Sequence, residues 1–350
     1  MPRTALLLKA SANRVYGEAA FALGQAEMAV LDEAVLHLGL AVERVALGGV
    51  DYLVADHAEP LPAEAVRTLS NLSSLHALFA LEGSLLSPLP VEPLAVVGED
   101  ITTIQRYQGK TNEAFTHLLV NLALAASGRF ADLLAGQRLR LLDPACGRGT
   151  TLNRAAVYGL DACGVELDQR DVEAYTVFLL TYLKDHRFKH KLEQAKLRKG
   201  RERPAHRITV TYGRSKDRST HRVVDVVHDD TRQSRTHLKD RSMDLLVCDL
   251  PYGVQHGAHG EGATPSRGPS RLLEEALPVW FELLRPGAGV ALGWNRRTLG
   301  RDQLERLVVG AGFELLGPEG DERFVHRVDQ AIQRDVLVAR RRVPEPAPRR

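Results

Sequence analysis

Apolar and polar positions change their period along the 350 residues. Up to about Leu86, short apolar runs mix with helical spacing. "FALGQAEMAVLDEAVLHLG" (21–39) has apolar residues at helical intervals and stops at a glycine. "VERVALGG" and "DYLVADH" read as strands joined at Gly48 and Gly49, and "HALFALEGSLL" as a further strand or a short helix. These predict a small α+β domain over 1–90. "SPLPVEPLAVVGED" (87–100) is proline-rich, and 91–110 reads as a linker. Thr111 then caps a helix over 111–127. Beyond it strands alternate with helices: "RLRLLD", "GTTLNRAAVYG", "DACGVELD", "VEAYTVFLLTYLK", "RVVDVVHDD", "SMDLLVCDL", "SRLLEEALPVWFELLRPG", "AGVALGWN" and "RDQLERLVVGAG". "ERFVHRV" and "RDVLVARR" finish as strands close enough to pair antiparallel at an edge. The alternation predicts an α/β domain over 111–342, a doubly wound parallel sheet with an antiparallel edge strand. Residues 343–350 read as a disordered tail.

Residues 184–222 break this rhythm, although "ITVTYG" can add a strand. They hold fourteen Lys/Arg against four Asp/Glu, net +10, whereas residues 1–100 hold five against thirteen, net −8. The chain's overall +2 hides this asymmetry. It points to a polyanion partner for the basic insertion, with Arg198, Lys199, Arg201 and Arg203 as the residues to grip phosphate, and to a protein partner for the acidic front. No apolar run is long enough to span a membrane. Cys146, Cys163 and Cys248 are far apart and fit no metal spacing, which implies a reduced, cytoplasmic protein. His256 and His259 have no acid or cysteine to complete a metal site. No metal is expected.

The chemistry gathers at strand ends. "LLDPACGRGTTL" (141–152) links the first strand of the sheet to its helix. Gly147 and Gly149 let backbone approach a ligand closely, and the helix start offers free N–H groups. Thr150 and Thr151 after Gly149 exclude a P-loop, and Leu152 stands where a dinucleotide site prefers a third glycine. S-adenosylmethionine needs the glycines and no pyrophosphate cradle. Glu166 ends the second strand, where a carboxylate can accept two ribose hydroxyls, as NAD and S-adenosylmethionine both require. "HDDTR" ends the third, with Asp230 favoured over Asp229 to accept from an adenine amino group.

"DPACGRGT", "GVELD", "HDDTR" and "DLPYG", in that order and spacing, resemble class I S-adenosylmethionine-dependent methyltransferases of the amino-methylating group, with its Asp-Pro-Pro-Tyr-type motif. "DLPYG" with "FVHRVDQAIQRDVLVARR" is most similar to THUMP-associated tRNA guanine-N2 methyltransferases. The resemblance covers about 101–341 and implies a Rossmann-like sheet. It places Asp143, Cys146, Gly147 and Gly149 in the cofactor loop, Glu166 on the ribose and Asp230 beside the adenine. It sets Thr111 and Asn112 near the methionine end, and makes Asp249, Leu250, Pro251 and Tyr252 the catalytic motif. Two features depart from the family. Leu250 stands where proline is frequent, and the acidic front is shorter than a THUMP module and repels phosphate.

The motif suits its chemistry. A nucleobase amine is a poor nucleophile because its lone pair is delocalised into the ring. Asp249 can accept one N–H and the Leu250 carbonyl the other, which localises the lone pair. Pro251 stiffens that carbonyl's direction, and Tyr252 can stack on a base flipped out of its helix. The reading is methyl transfer to an exocyclic amine, guanine N2 in tRNA first. DNA adenine N6, DNA cytosine N4 or a protein glutamine would use the same chemistry. A non-catalytic module that binds the cofactor and docks RNA or a partner is a further alternative, as is an NAD-dependent dehydrogenase.

Overall fold

The computed structural model describes residues 2–10, 14–197, 205–251, 269–318 and 320–343. Its first unit comprises β1 (Arg3–Leu8), α1 (Arg14–Leu31), β2 (Ala41–Leu47), β3 (Val50–Asp56), α2 (Ala63–Leu69), β4 (Leu75–Glu82) and β5 (Leu85–Leu89). The strands lie in the order β2-β3-β1-β4-β5, each antiparallel to its neighbour. That is the β-α-β-β-α-β ferredoxin-like plan with β5 added. Gly48 and Gly49 have φ of 58° and 85°, the pair of positive values that a two-residue type I′ hairpin needs. The run that allowed either a strand or a helix is the β4–β5 hairpin.

The stretch read as a linker lies along the second unit. Val96 N donates to Val157 O at 2.9 Å, and Val97 is buried. Arg154 grips Glu99 through two bonds of 2.7 and 2.8 Å. One short helix, α3 (Ile101–Ile104), leads on to α4 (Glu113–Ser127). Asn112 caps α4, its Oδ1 accepting from Ala114 N and Phe115 N. The cap falls one residue later than the Thr111 expected from the sequence, because the Thr111 hydroxyl is engaged elsewhere.

The second unit continues with α5 (Phe130–Leu134), β6 (Arg140–Asp143), α6 (Thr150–Tyr158), β7 (Asp161–Glu166), α7 (Gln169–Asp185), β8 (Lys189–Leu197), β9 (Ala205–Gly213), β10 (Arg222–His228) and β11 (Met243–Asp249). Then come α8 (Pro269–Leu283), β12 (Leu284–Asn295), α9 (Arg301–Gly310), β13 (Phe313–Leu315), β14 (His326–Arg327) and β15 (Gln333–Arg341). The sheet order is β13-β15-β12-β11-β6-β7-β10-β9-β8, with β14 on β15. The five strands from β12 to β10 are parallel. β15 runs antiparallel to β12 but is not the outermost strand, since β13 pairs along its far side. β15 is buried along nearly its whole length, as an interior strand must be. "ERFVHRV" supplies only the two-residue β14. Among the described residues of the basic insertion, β8 and β9 pair as a ribbon that extends the sheet beyond β10.

The two units share one core. α1 packs beside α4, which is buried on nearly every side, and α2 packs against α5. At the junction Glu27 of α1 is fully buried and accepts from Ser73 Oγ at 2.6 Å and from Asn121 Nδ2 at 2.6 Å. Asn121 Oδ1 in turn accepts from Tyr158 OH at 2.7 Å. Burial pushes the Glu27 carboxyl up to about 7, against the converging donors that favour its charged form.

Candidate active site

The chain moves outward in one direction from β6 through β7 to β10 and then crosses back to β11 on the other side of β6, so the strand order reverses beside β6. In such sheets the ligand crevice opens at the carboxyl ends of the strands at that switch point. Asp143, Glu166 and Asp249 end three of these strands.

The loop after β6 is built around its acids. Asp143 is buried and its Oδ1 accepts from Ala145 N at 3.1 Å. Burial pushes its carboxyl up to about 7. Hydrogen bonds from Thr151 and Ala145 oppose that rise, and the charges of Glu166 and Asp249 add to it. Gly147 adopts φ 50° and donates its N–H to Glu166 Oε2 at 2.8 Å, while Glu166 Oε1 accepts from Asp168 N at 2.8 Å. The glycine loop and Glu166 are therefore one preformed unit.

The two glycines have different reasons. A Cβ on Gly147 would meet nothing within 4 Å, which leaves an open cradle above the loop. A Cβ on Gly149 (φ 77°) would stand 2.3 Å from the Tyr175 ring. Cys146 is a packing residue within the loop. It is buried, its Sγ lies where a Cβ on Gly164 would intrude, and burial raises its thiol well above the ordinary range. S-adenosylmethionine fits these residues. The cradle admits it closely, and three carboxylates surround a crevice for a molecule that carries a sulfonium and an ammonium.

Thr111 is brought to Asp249 by the chain entering α4. Its Oγ1 donates to Asp249 Oδ2 at 2.6 Å. Asn112 is spent on the helix cap. Asp249 has a second partner that the sequence reading missed: Arg334 Nη2, at the start of β15, lies 3.2 Å from the same oxygen. Gly293 of β12 makes room, for a Cβ there would stand 2.9 Å from Phe115 and 3.1 Å from Asp249 Oδ1. Leu250 is buried and its N–H donates to Gly293 O at 2.7 Å, and Pro251 follows half-buried. Tyr252, His256 and His259 lie outside the described residues, as do Arg198, Lys199, Arg201 and Arg203.

At the third strand end the two acids part. Asp229 is buried against His237 Nε2 at 2.6 Å. Asp230 is half-buried, caps a short helical turn, and is bound by Arg232 at 2.5 to 3.0 Å. Two more residues near the loop were not foreseen. Tyr107 OH bonds Thr150 Oγ1 at 2.8 Å, at the start of α6. Leu167, directly after Glu166, is an exposed apolar side chain at the crevice edge. Its signal was present in "GVELD", an apolar residue set between two acids.

Among the described residues no group of His, Cys, Asp and Glu could hold a metal ion, and no helix is long and apolar enough to cross a membrane.

Residues 113–266 match the UPF0020 family, described as an RMKL-like methyltransferase domain. No curated protein matches the sequence. Solved structures with similarity include a Methanosarcina mazei S-adenosylmethionine-dependent methyltransferase at 13% identity, covering 59% of this chain and 93% of that one, with a TM-score of 0.36. A Pyrococcus horikoshii protein named as a candidate RNA methyltransferase shares 14% identity over 70% of this chain and 94% of its own, TM-score 0.39. An rRNA methylase from Streptococcus thermophilus shares 12% over 60% and 93%, TM-score 0.33. Likenesses this distant carry nothing about activity. The family match supports a methyltransferase domain over residues 113–266, with S-adenosylmethionine as its cofactor.

Proposed function

We propose that the protein methylates an exocyclic amino group of a nucleobase in RNA, with guanine N2 in tRNA as the target. The observation that carries this reading is Asp249. It is an acid at a parallel strand's carboxyl end, oriented by Thr111 and Arg334, at the same edge as the Gly147 cradle and Glu166. Leu250 and Pro251 follow it directly. S-adenosylmethionine supplies an electrophilic methyl when bound. Asp143, the 146–149 loop and Glu166 hold it, and Asp230 serves its adenine side.

Asp249 accepts one N–H of the substrate amine and the Leu250 carbonyl accepts the other. The pair aims the nitrogen's lone pair and offsets the positive charge that grows on it. Tyr252 stacks on the base and fixes its approach.

Charge supports RNA as the carrier. The residue pairs Leu197–Ala205 and His206–His228 set the ends of β8 and β9 beside the end of β10. Leu197 and Ala205, which flank Arg198, Lys199, Arg201 and Arg203 in the sequence, therefore lie at the same edge as the crevice. Neutralising those four residues weakens RNA binding and flattens its dependence on salt. Unchanged binding would remove the insertion from the account. Tritiated S-adenosylmethionine offered with total RNA, total DNA and total protein tests the substrate class. Label in RNA is the expected result, and label confined to DNA or protein would overturn it.

A further inference from the structure

Arg334 is almost wholly buried, at 5% exposure. Its guanidinium lies 4.5 Å from the centre of the Phe115 ring, and the His326 ring lies 5.4 Å from Phe115. Its backbone is paired on both sides, with Asn295 in β12 and with His326 in β14. The guanidinium is therefore fixed by α4, β12 and β14 together. Val336 and Val338 occupy the next positions on the same face of β15. The sheet has no need of a charge here, and burying one costs free energy unless it is paired.

The groups facing Asp249 explain the pairing. Asp143 of β6 and Glu166 of β7 add negative charge from one side, since both Glu166 and Asp249 act on Asp143. Thr111 offers a neutral hydroxyl. Burial holds His326 below its ordinary value. Among the described residues Arg334 is the positive charge set against Asp249, at 3.2 Å.

We propose that Arg334 is a positioning residue which holds the Asp249 carboxylate in one orientation as an acceptor, acting through Asp249 and not on the substrate. The inference rests on the role given to Asp249 above.

A mutant cycle in the full-length protein tests it, with Arg334→Met, Arg334→Lys, Asp249→Asn and the Arg334→Met/Asp249→Asn double variant. Methyl transfer from S-adenosylmethionine into total RNA is followed at pH 8. Arg334→Met is expected to lower kcat by about 100-fold with KM little changed, the usual scale for a misaligned catalytic group. Arg334→Lys recovers part of that loss. In the Asp249→Asn background it adds no further loss. A raised KM with kcat intact, or losses that multiply in the double variant, would overturn the proposal, since Arg334 would then grip the RNA itself.

Thermal unfolding of the same four proteins needs no substrate. Arg334→Met is expected to melt lower at pH 8, with part of that loss restored by Asp249→Asn. Additive losses would overturn the pairing. Should wild-type protein label no RNA, the RNA reading falls alone, and the unfolding cycle still decides the role of Arg334.

Discussion

Asp143 lies in the crevice as a buried acid beside two others, and its carboxyl is pushed up to about 7. Only its ionised form attracts a cationic cofactor. Below pH 7 cofactor binding must therefore expel a proton from it, and affinity falls as the pH falls. The cofactor's own amino group also titrates, so the comparison that counts is with Asp143→Asn. Between pH 8 and pH 6 the wild type is expected to lose up to about tenfold more affinity than the variant, one pKa unit being a factor of ten. Calorimetric titration in two buffers of different ionisation enthalpy measures both the affinity and the released proton. Equal pH dependence in the two proteins would remove Asp143 from the cofactor's surroundings. At this scale the sequence was informative for Asp143, Glu166 and Asp249, because acids at strand ends stand out against apolar runs. Arg334 was hidden. It opens an apolar strand beside Asp335, and nothing local says that its partner lies 85 residues earlier in the chain.

The loop between β6 and α6 separates two uses of glycine. Gly147→Ala meets open space, so its folding cost is that of a positive φ alone, about 1 to 2 kcal/mol. Its methyl fills the cradle, however, and cofactor affinity is expected to collapse. Gly149→Ala drives a methyl into the Tyr175 ring and is expected to destabilise the fold more, with cofactor binding lost as a consequence. Thermal unfolding paired with cofactor titration separates the two. Equal unfolding losses would contradict this division. The strands and helices from β6 to β12 were legible because their hydrophobic period is regular. β14 and β15 were less so. Strand spacing shows neither how few residues of 322–328 find a partner nor that β13 closes the sheet outside β15. "ITVTYG" foretold the second half of β9, but β8 was missed because an exposed, charged strand carries no apolar alternation.

On the scale of the whole molecule, the ferredoxin-like unit is joined to the methyltransferase unit through buried polar groups. Glu27 anchors that junction and is raised from 4.5 to about 7. A raised acid stabilises the fold fully below pH 4.5, and that contribution is lost as the pH climbs to about 7. The slope is about 1.4 kcal/mol per unit, so at most about 3 kcal/mol across the window. Glu27→Gln removes the titration. The stability gap between wild type and variant, from urea unfolding at pH 5 and pH 8, is expected to shift by that order in favour of the variant at pH 8. An unchanged gap would mean that Glu27 stays ionised throughout. This junction was invisible in the sequence, where Glu27, Asn71, Asn121 and Tyr158 are spread over more than 130 positions. The charge asymmetry was legible, and it survives as an acidic unit on one side and a basic ribbon reaching the catalytic edge on the other.

The central claim is amine methylation on RNA directed by Asp249. Total RNA incubated with methyl-labelled S-adenosylmethionine and either the wild type or Asp249→Asn, then digested and resolved by nucleoside mass spectrometry, tests it most directly. The account predicts label on an exocyclic nitrogen, as N2-methylguanosine from the tRNA fraction, and only a small residue of it from Asp249→Asn, which still binds the cofactor. Label on ribose or on a ring carbon, or an Asp249→Asn protein that methylates like the wild type, would contradict it.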